Sequence, residues 1–281
     1  MSLLVIGIMS NESHITVVVN GALGRMGQTV MSAVDADPAL QLVAGIDSAA
    51  SGATVSAPGT GEVPLAADAA SSIAAKSPQV IVDFSNATGA MDVARAALPA
   101  GVRLVSGSTG LSVDDLREIE TMVDAAGTAA ISAPNFAMGA VVLTHLARIA
   151  SRYFDYADLL ESHHEAKIDA PSGTALAIAK AMAEGRGGEF EQNVAEKQTL
   201  EGTRGGSFSG INVHSARMVG RVARHEVVFG ATGQTLTMIH DSINRDSFMP
   251  GVLMAVKQVM TQNGLVVGLE KVLGLDDGVK P

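Results

Sequence analysis

Ile15-Thr16-Val17-Val18-Val19-Asn20-Gly21-Ala22-Leu23-Gly24-Arg25-Met26-Gly27 is the stretch that decides the fold. Its first five residues are β-branched and, apart from Thr16, apolar, the pattern of a strand covered on both faces. The run stops at Asn20-Gly21, and a helical pattern follows over residues 24–35, closed by Pro38. A second strand is predicted over 41–46, ending on Asp47. This is a βαβ unit, and three glycines at GxxGxxG spacing sit where its first strand passes into its helix. Gly21 permits a tight turn, Gly24 lets backbone approach a phosphate, and Gly27 allows close helix–sheet packing. The helix start adds free N–H groups and a positive dipole end, and Asp47 stands where an acid accepts ribose hydroxyls. A dinucleotide site is the reading that uses all of these. Helix-start glycines beside a surface aspartate would explain the glycines but not the βαβ context.

Outward from this unit, residues 48–64 are small and rich in Gly, Ser and Pro, and read as loop. Alternation then resumes: strand 80–84 with helix 87–100, strand 103–106 with helix 113–126, and strand 129–132. The prediction is a Rossmann-type doubly wound parallel sheet in an α/β protein. Small and polar clusters end its later strands: Asp83-Phe84-Ser85, Gly107-Ser108-Thr109-Gly110 and Ala133-Pro134-Asn135-Phe136. Ligands lie outside the carboxyl ends of such strands, so these clusters are candidates for the rest of the cofactor site; ordinary turn chemistry is the competing explanation. After Asn135 the pattern changes to a helix over 139–153 and strands near 157–163, 211–218, 226–230 and 234–241, joined mostly by turns. A helix over 250–260 and a short strand end the chain. The expected organisation is a dinucleotide-binding domain over 1–135, with 246–281 returning to it, and a mixed α/β domain over 136–245.

The 281 residues are 47% hydrophobic and 17% charged, a balance that suits a compact fold. A net charge of −10 argues against nucleic acid as a partner, because such binding needs a basic face to displace counterions. Cysteine is absent, which excludes disulfides, thiolate metal sites and cysteine nucleophiles. No apolar run reaches the ~20 residues that span a bilayer. Residues 1–9 are apolar but short and lack a basic flank, so they read as an extension or a misassigned start rather than a signal peptide. A cytoplasmic protein with no membrane partner is expected.

The chemistry concentrates in Glu161-Ser162-His163-His164-Glu165-Ala166-Lys167-Ile168-Asp169-Ala170-Pro171-Ser172-Gly173-Thr174. Two histidines and a lysine at a strand end gather proton donors. Ser172-Gly173-Thr174 opens an Ala-rich helix whose amides and hydroxyls can hold a carboxylate. Three blander explanations stand beside this: a histidine metal site, which lacks HExxH spacing and a third ligand; one structural histidine; and solvated charges at Lys167 and Asp169. In an extended segment His163 and His164 point to opposite faces, so only one need do chemistry.

These motifs, with V-V-V-N-G-A-L-G-R-M-G, V-D-F-S, G-S-T-G, A-P-N-F-A-M-G and a late H-D-S-I-N-R-D-S-F, resemble the dihydrodipicolinate reductases over residues 15–269. The resemblance implies NAD(P)H-dependent reduction of 4-hydroxy-tetrahydrodipicolinate, via dihydrodipicolinate, to tetrahydrodipicolinate in lysine and diaminopimelate synthesis. It implies a second domain that binds a small dicarboxylate substrate and whose sheet builds a homotetramer. It assigns His163 and Lys167 to catalysis, and His164, Gly173 and Thr174 to substrate. It gives the cofactor Gly21, Ala22, Leu23, Gly24, Arg25, Met26, Asp47, Gly107, Ser108, Thr109, Ala133, Pro134, Asn135 and Phe136, and it assigns no metal. Another Rossmann-domain dehydrogenase, or a dinucleotide sensor without turnover, are the alternatives; the sensor would have no use for His163 and Lys167. Where the family often carries Glu followed by Arg, this chain has Asp47-Ser48, so NADH is expected to serve at least as well as NADPH. Glu161 or Glu165 is expected to raise the pKa of His163 and keep its imidazolium populated.

Overall fold

The computed structural model describes residues 14–57, 59–192 and 195–275; the expectation for residues 1–9 lies outside them. Contacts divide the chain into Met1–Ser132 with Val256–Leu265, and Ala133–Ala255 with Val266–Pro281.

In the first unit, β1 (Ile15–Asn20), α1 (Arg25–Ala36) and β2 (Leu40–Ile46) form the expected βαβ unit, and β1 and β2 pair in parallel. Val17, Val18 and Val19 are fully buried, as the apolar run requires. The segment read as loop folds instead into β3 (Thr54–Ala57) and β4 (Gly61–Ala66), an antiparallel hairpin whose second strand adds in parallel to β2. Val55 and Val63 face each other across it and are buried; two apolar residues per strand suffice at a sheet edge, and Gly, Ser and Pro around them hide the period. A further unexpected element, α2 (Ala69–Lys76), contains only Ile73 as a large apolar residue and starts at Asp68, whose carboxylate accepts from Ser71 N–H at 2.8 Å. Then come β5 (Val80–Asp83), α3 (Ala87–Ala97), β6 (Arg103–Ser106), α4 (Val113–Ala126) and β7 (Ala129–Ser132), close to the expected limits. β1, β5, β6 and β7 pair successively in parallel. The chain leaves β1 in one direction for β2 and returns to β5 on its other side, so the sheet has its switch point at β1–β5.

The second unit holds α5 (Met138–Ala150), β8 (Tyr156–His163), α6 (Gly173–Arg186), β9 (Gly206–Phe208), β10 (Ile211–Arg217), β11 (Ala223–Ala231) and β12 (Gln234–Ser242). The strands form a mixed sheet in the order β12-β11-β8-β10-β9, with β8 and β10 parallel and the other pairs antiparallel. One face is covered: Ala157, Leu159, Val213, Val227 and Phe229 bury themselves with Leu143 and Ala147 of α5 and Ile178 and Met182 of α6. β9 was not expected, since Gly206-Ser207-Phe208 is too short to show a period.

Helix α7 (Met249–Val259), β13 (Gly264–Val267) and α8 (Leu269–Val272) complete the chain. The expected domain limits differ from the observed division, which falls at 132/133 and returns only Val256–Leu265 to the first unit. The reason lies in individual contacts. A Cβ on Gly251 would sit 2.3 Å from the Phe136 carbonyl oxygen, and α8 packs on α5, both within the second unit. Lys257 pairs with Asp37 at 2.6 Å and Gly264 N–H donates to the Thr128 carbonyl at 3.1 Å, both within the first.

Candidate active site

The first unit contains a cleft of about 470 Å³ lined by Asn20, Gly21, Gly24, Asp47, Phe84 and Ser85, at the carboxyl ends of β1, β2 and β5. That volume suits a small-molecule ligand, and the place is the sheet's switch point. Gly21 turns there with φ of +78°, and a Cβ on it would come 2.8 Å from the Phe84 carbonyl oxygen. A Cβ on Gly27 would lie 2.0 Å from the Gly21 carbonyl oxygen, so the two glycines together let α1 start against the end of β1. Gly24 precedes α1 without a capping side chain, leaving the first amides to a ligand. Asp47 takes Leu23 N–H at 3.0 Å and Ala49 N–H at 3.0 Å, which fixes the carboxylate at the rim.

Beneath the cleft lies a buried polar network that sequence reading saw only as a cluster. Asp83 accepts from Asn20 Nδ2 at 2.7 Å, from Ser85 Oγ at 2.5 Å and from Ser106 Oγ at 2.7 Å, tying three strand ends together. Ser106 Oγ in turn accepts Ser108 N–H at 3.3 Å, and Ser108 Oγ is buried with no partner among the described residues. A dinucleotide fits this donor set: tight glycine turn, uncapped helix start, an acid for ribose and an unsatisfied hydroxyl in the Gly107-Ser108-Thr109 loop. Ala22 is buried and Leu23, Gly24 and Arg25 are exposed, with Met26 half-buried between. Ala133, Pro134, Asn135 and Phe136 follow β7 and cluster with the second unit. There Asn135 Nδ2 donates to Thr174 Oγ1 at 3.3 Å, joining an expected cofactor residue to an expected substrate residue.

In the second unit, alternation along β8 places Ala157, Leu159, Glu161 and His163 on the covered face. The first two enter the core; the last two meet the start of α6, where they form a polar cluster. Glu161, fully buried, meets His163 Nδ1 at 2.5 Å and accepts Ser172 N–H at 3.1 Å. Arg217, at the end of β10, grips both carboxylate oxygens at 2.9 Å. Burial opposes the charge on Glu161, but its hydrogen bonds to Arg217, Ser215 and His163 outweigh it and hold the carboxyl below its ordinary range. His163 departs from expectation. Burial is the largest influence and pushes its pKa down, Lys167 and Arg217 add to that, and Glu161 opposes without winning, because its charge is already engaged by Arg217.

His164 begins the turn after β8, and its carbonyl accepts Lys167 N–H at 3.1 Å. Lys167 Nζ rests on Asp169 at 2.7 Å. Ser172 caps α6 by accepting Ala175 N–H at 3.1 Å and lies 3.1 Å from His225 Nε2. His225 packs edge-on against His163, with ring centroids 5.3 Å apart, and burial lowers its pKa to about 4. The structure therefore assembles His163, Lys167, Gly173 and Thr174 around one strand end. It adds Glu161 as their junction, and brings in Ser172, Arg217 and His225, the last two from strands distant in sequence. Among the described residues, no three His, Cys, Asp or Glu side chains are grouped to hold a metal.

The family model described as dihydrodipicolinate reductase, N-terminus, matches residues 15–136, and its C-terminal counterpart matches 139–273. The chain belongs to the dihydrodipicolinate reductase family. Relatives named 4-hydroxy-tetrahydrodipicolinate reductase include one from Dehalococcoides mccartyi, 43% identical over 93% of this chain and 99% of its own. Another, from Bacillus pumilus, is 40% identical over 94% of this chain and 100% of its own. A dipicolinate-bound dihydrodipicolinate reductase from a Paenisporosarcina species superposes with a TM-score of 0.83 at 37% identity, over 92% of this chain and 99% of that one. An amine dehydrogenase from Mycobacterium smegmatis, at 14% identity and a TM-score of 0.65 over 92% and 96% of the two chains, shares the fold alone. The family's Rossmann-type domain and mixed-sheet domain are those described above.

Proposed function

We propose that this protein reduces 4-hydroxy-tetrahydrodipicolinate, by way of dihydrodipicolinate, to tetrahydrodipicolinate with NAD(P)H, in lysine and diaminopimelate synthesis. The observation that carries the reading is the convergence of His163, Lys167 and the N-terminus of α6 on one strand end. The substrate is a dianion at neutral pH. One cation and a set of helix-terminal amides suffice for its carboxylates. Gly173 and Thr174 offer the amides, Lys167 exchanges Asp169 for a substrate carboxylate, and His164 adds a contact. A reduced nicotinamide, when bound, would supply hydride to ring C4. Electrons then move through the conjugated C=C–C=N system to the ring nitrogen. The resulting enamine-like anion takes a proton from His163 Nε2, the ring atom left free by the Glu161 contact at Nδ1. A lowered pKa makes this imidazolium a stronger acid and requires water to recharge it each turnover.

Gly21, Ala22, Leu23, Gly24, Arg25, Met26 and Asp47 hold the dinucleotide in this reading, with Gly107, Ser108, Thr109 and the loop from Ala133 to Phe136 completing the site. NADH serves at least as well as NADPH, because Asp47, Asp68 and Asp92 line the cleft and oppose a 2′-phosphate, and Ser48 beside Asp47 supplies no cation. The working form is a cytoplasmic homotetramer. In support, the face of the mixed sheet opposite α5 and α6 leaves Leu160 and Ile239 exposed, apolar positions suited to sheet-on-sheet association. No helix among the described residues is long and apolar enough to cross a membrane. Steady-state loss of NADH absorbance, dependent on enzymatically generated substrate, tests the reading; no substrate-dependent oxidation with either nicotinamide would reject it.

A further inference from the structure

Glu161 is where the site's two chemical jobs meet. Its Oε1 accepts Ser172 N–H at 3.1 Å and Arg217 Nη2 at 2.9 Å. Its Oε2 accepts Arg217 Nη1 at 2.9 Å and lies 2.5 Å from His163 Nδ1. Arg217 extends the clamp by donating to the carbonyls of Ala216 and Asp169, the second of which belongs to the turn that carries Lys167. Only a carboxylate accepts from this many donors at one point; a glutamine would offer one acceptor oxygen and aim two N–H groups at other donors.

We propose that Glu161, clamped by Arg217, is the positioning residue that holds the proton donor His163 and the carboxylate-binding turn at Ser172-Gly173-Thr174 in one fixed relation. The proposal rests on the role given to His163 above. Transfer to a ring held by its carboxylates demands that the acid and the carboxylate site keep their spacing, because small misplacements cost orders of magnitude in rate. A single side chain bonded to both fixes that spacing. The contact at Nδ1 also selects Nε2 as the atom that gives up its proton, and the neutral ring left behind keeps Nδ1–H on Glu161. Arg217 sets the charge. By neutralising Glu161 it lets the carboxylate orient the ring without holding its proton too tightly. The other groups facing His163 are Lys167 from the turn and His225 from β11, with His240 opposite His225 on β12.

Opposite responses of two variants distinguish this role from simple scaffolding. Ring titration of His163 is followed by NMR in the full-length protein without substrate, in wild type, Glu161→Gln and Arg217→Gln, beside pH profiles of NADH oxidation. Glu161→Gln removes the anion, so His163 titrates lower by about one pH unit, and turnover near neutrality falls roughly 10- to 100-fold with a raised substrate KM. Arg217→Gln frees the Glu161 charge and removes a cation, so His163 titrates higher by about one pH unit. Unchanged titration in both variants, or shifts in the same direction, overturns the proposal. Should Glu161→Gln fail to fold, Arg217→Gln decides alone: an upward shift supports it and no shift overturns it. A wild-type protein that titrates as described but turns over no substrate would instead remove the functional reading and leave the Glu161–His163 coupling standing.

Discussion

Replacing Asp47 by asparagine should change cofactor choice more than it changes anything else. A 2′-phosphate seated at the ribose hydroxyls would lie about 5 Å from this carboxylate, and a dianion and an anion at that distance repel by roughly 1.7 kcal/mol in a water-like dielectric. About half survives physiological salt, and Asp68 and Asp92 in the same cleft add to it. The net penalty on NADPH is therefore about 1–2 kcal/mol, a factor of roughly five to thirty. Asparagine removes the charge of Asp47 but also loses one acceptor for the Leu23 and Ala49 amides, so NADH use weakens while NADPH use holds or improves. Measured kcat/KM for the two cofactors should show the NADPH/NADH ratio rising about tenfold in the variant. A wild-type preference for NADPH of tenfold or more, or a ratio unmoved by the substitution, would show that the Asp47 charge does not set cofactor choice.

Three further outcomes are expected. His163→Gln should lower kcat by roughly 10²–10⁴ with a modest change in KM, Lys167→Ala should damage both parameters, and His164→Gln should mainly raise KM; near-native kcat in His163→Gln with the fold intact would pass the proton to another group. Gly27→Ala should weaken NADH binding by at least tenfold, since its Cβ would fall 2.0 Å from the Gly21 carbonyl oxygen and push α1 off the turn; calorimetric titration reads this, and unchanged affinity would mean the helix start does not hold the phosphates. Stability should decline on acidification, because His225 titrates near 4 in the folded chain against 6.5 unfolded. Its contribution is complete above pH 6.5, drains away as pH falls through about 4, and is of order 3 kcal/mol. Urea midpoints across that range should show the decline, and His225→Asn should flatten it.

The βαβ unit was legible because a fully apolar strand, a glycine turn and a terminal acid each carry an unambiguous physical signature at fixed spacing. Val17, Val18 and Val19 could be placed in the core from their neighbours alone. The hairpin of β3 and β4 and the helix α2 were not legible: they are held by Val55, Val63 and one large residue, Ile73, on segments whose composition otherwise reads as loop. In the site, His163, Lys167 and Thr174 announced themselves by residue type. Arg217 and His225 did not, because they reach Glu161 and Ser172 from β10 and β11, and no local pattern tells which strand will lie beside β8. The sign of the His163 shift is hidden from the sequence for the same reason. Sequence shows Glu161 two residues away, but not the burial or the arginine that cancels its charge.

On the proposed function, this chain delivers hydride to the dihydropyridine ring of a dicarboxylate. Turnover with NADH deuterated at the transferring position, using substrate generated enzymatically, with mass and NMR analysis of the product, shows whether it does. Tetrahydrodipicolinate carrying one deuterium at ring C4 is expected, formed in step with NADH oxidation and more slowly in Gly27→Ala and His163→Gln. Product without deuterium, or NADH oxidation that yields no tetrahydrodipicolinate, would contradict it.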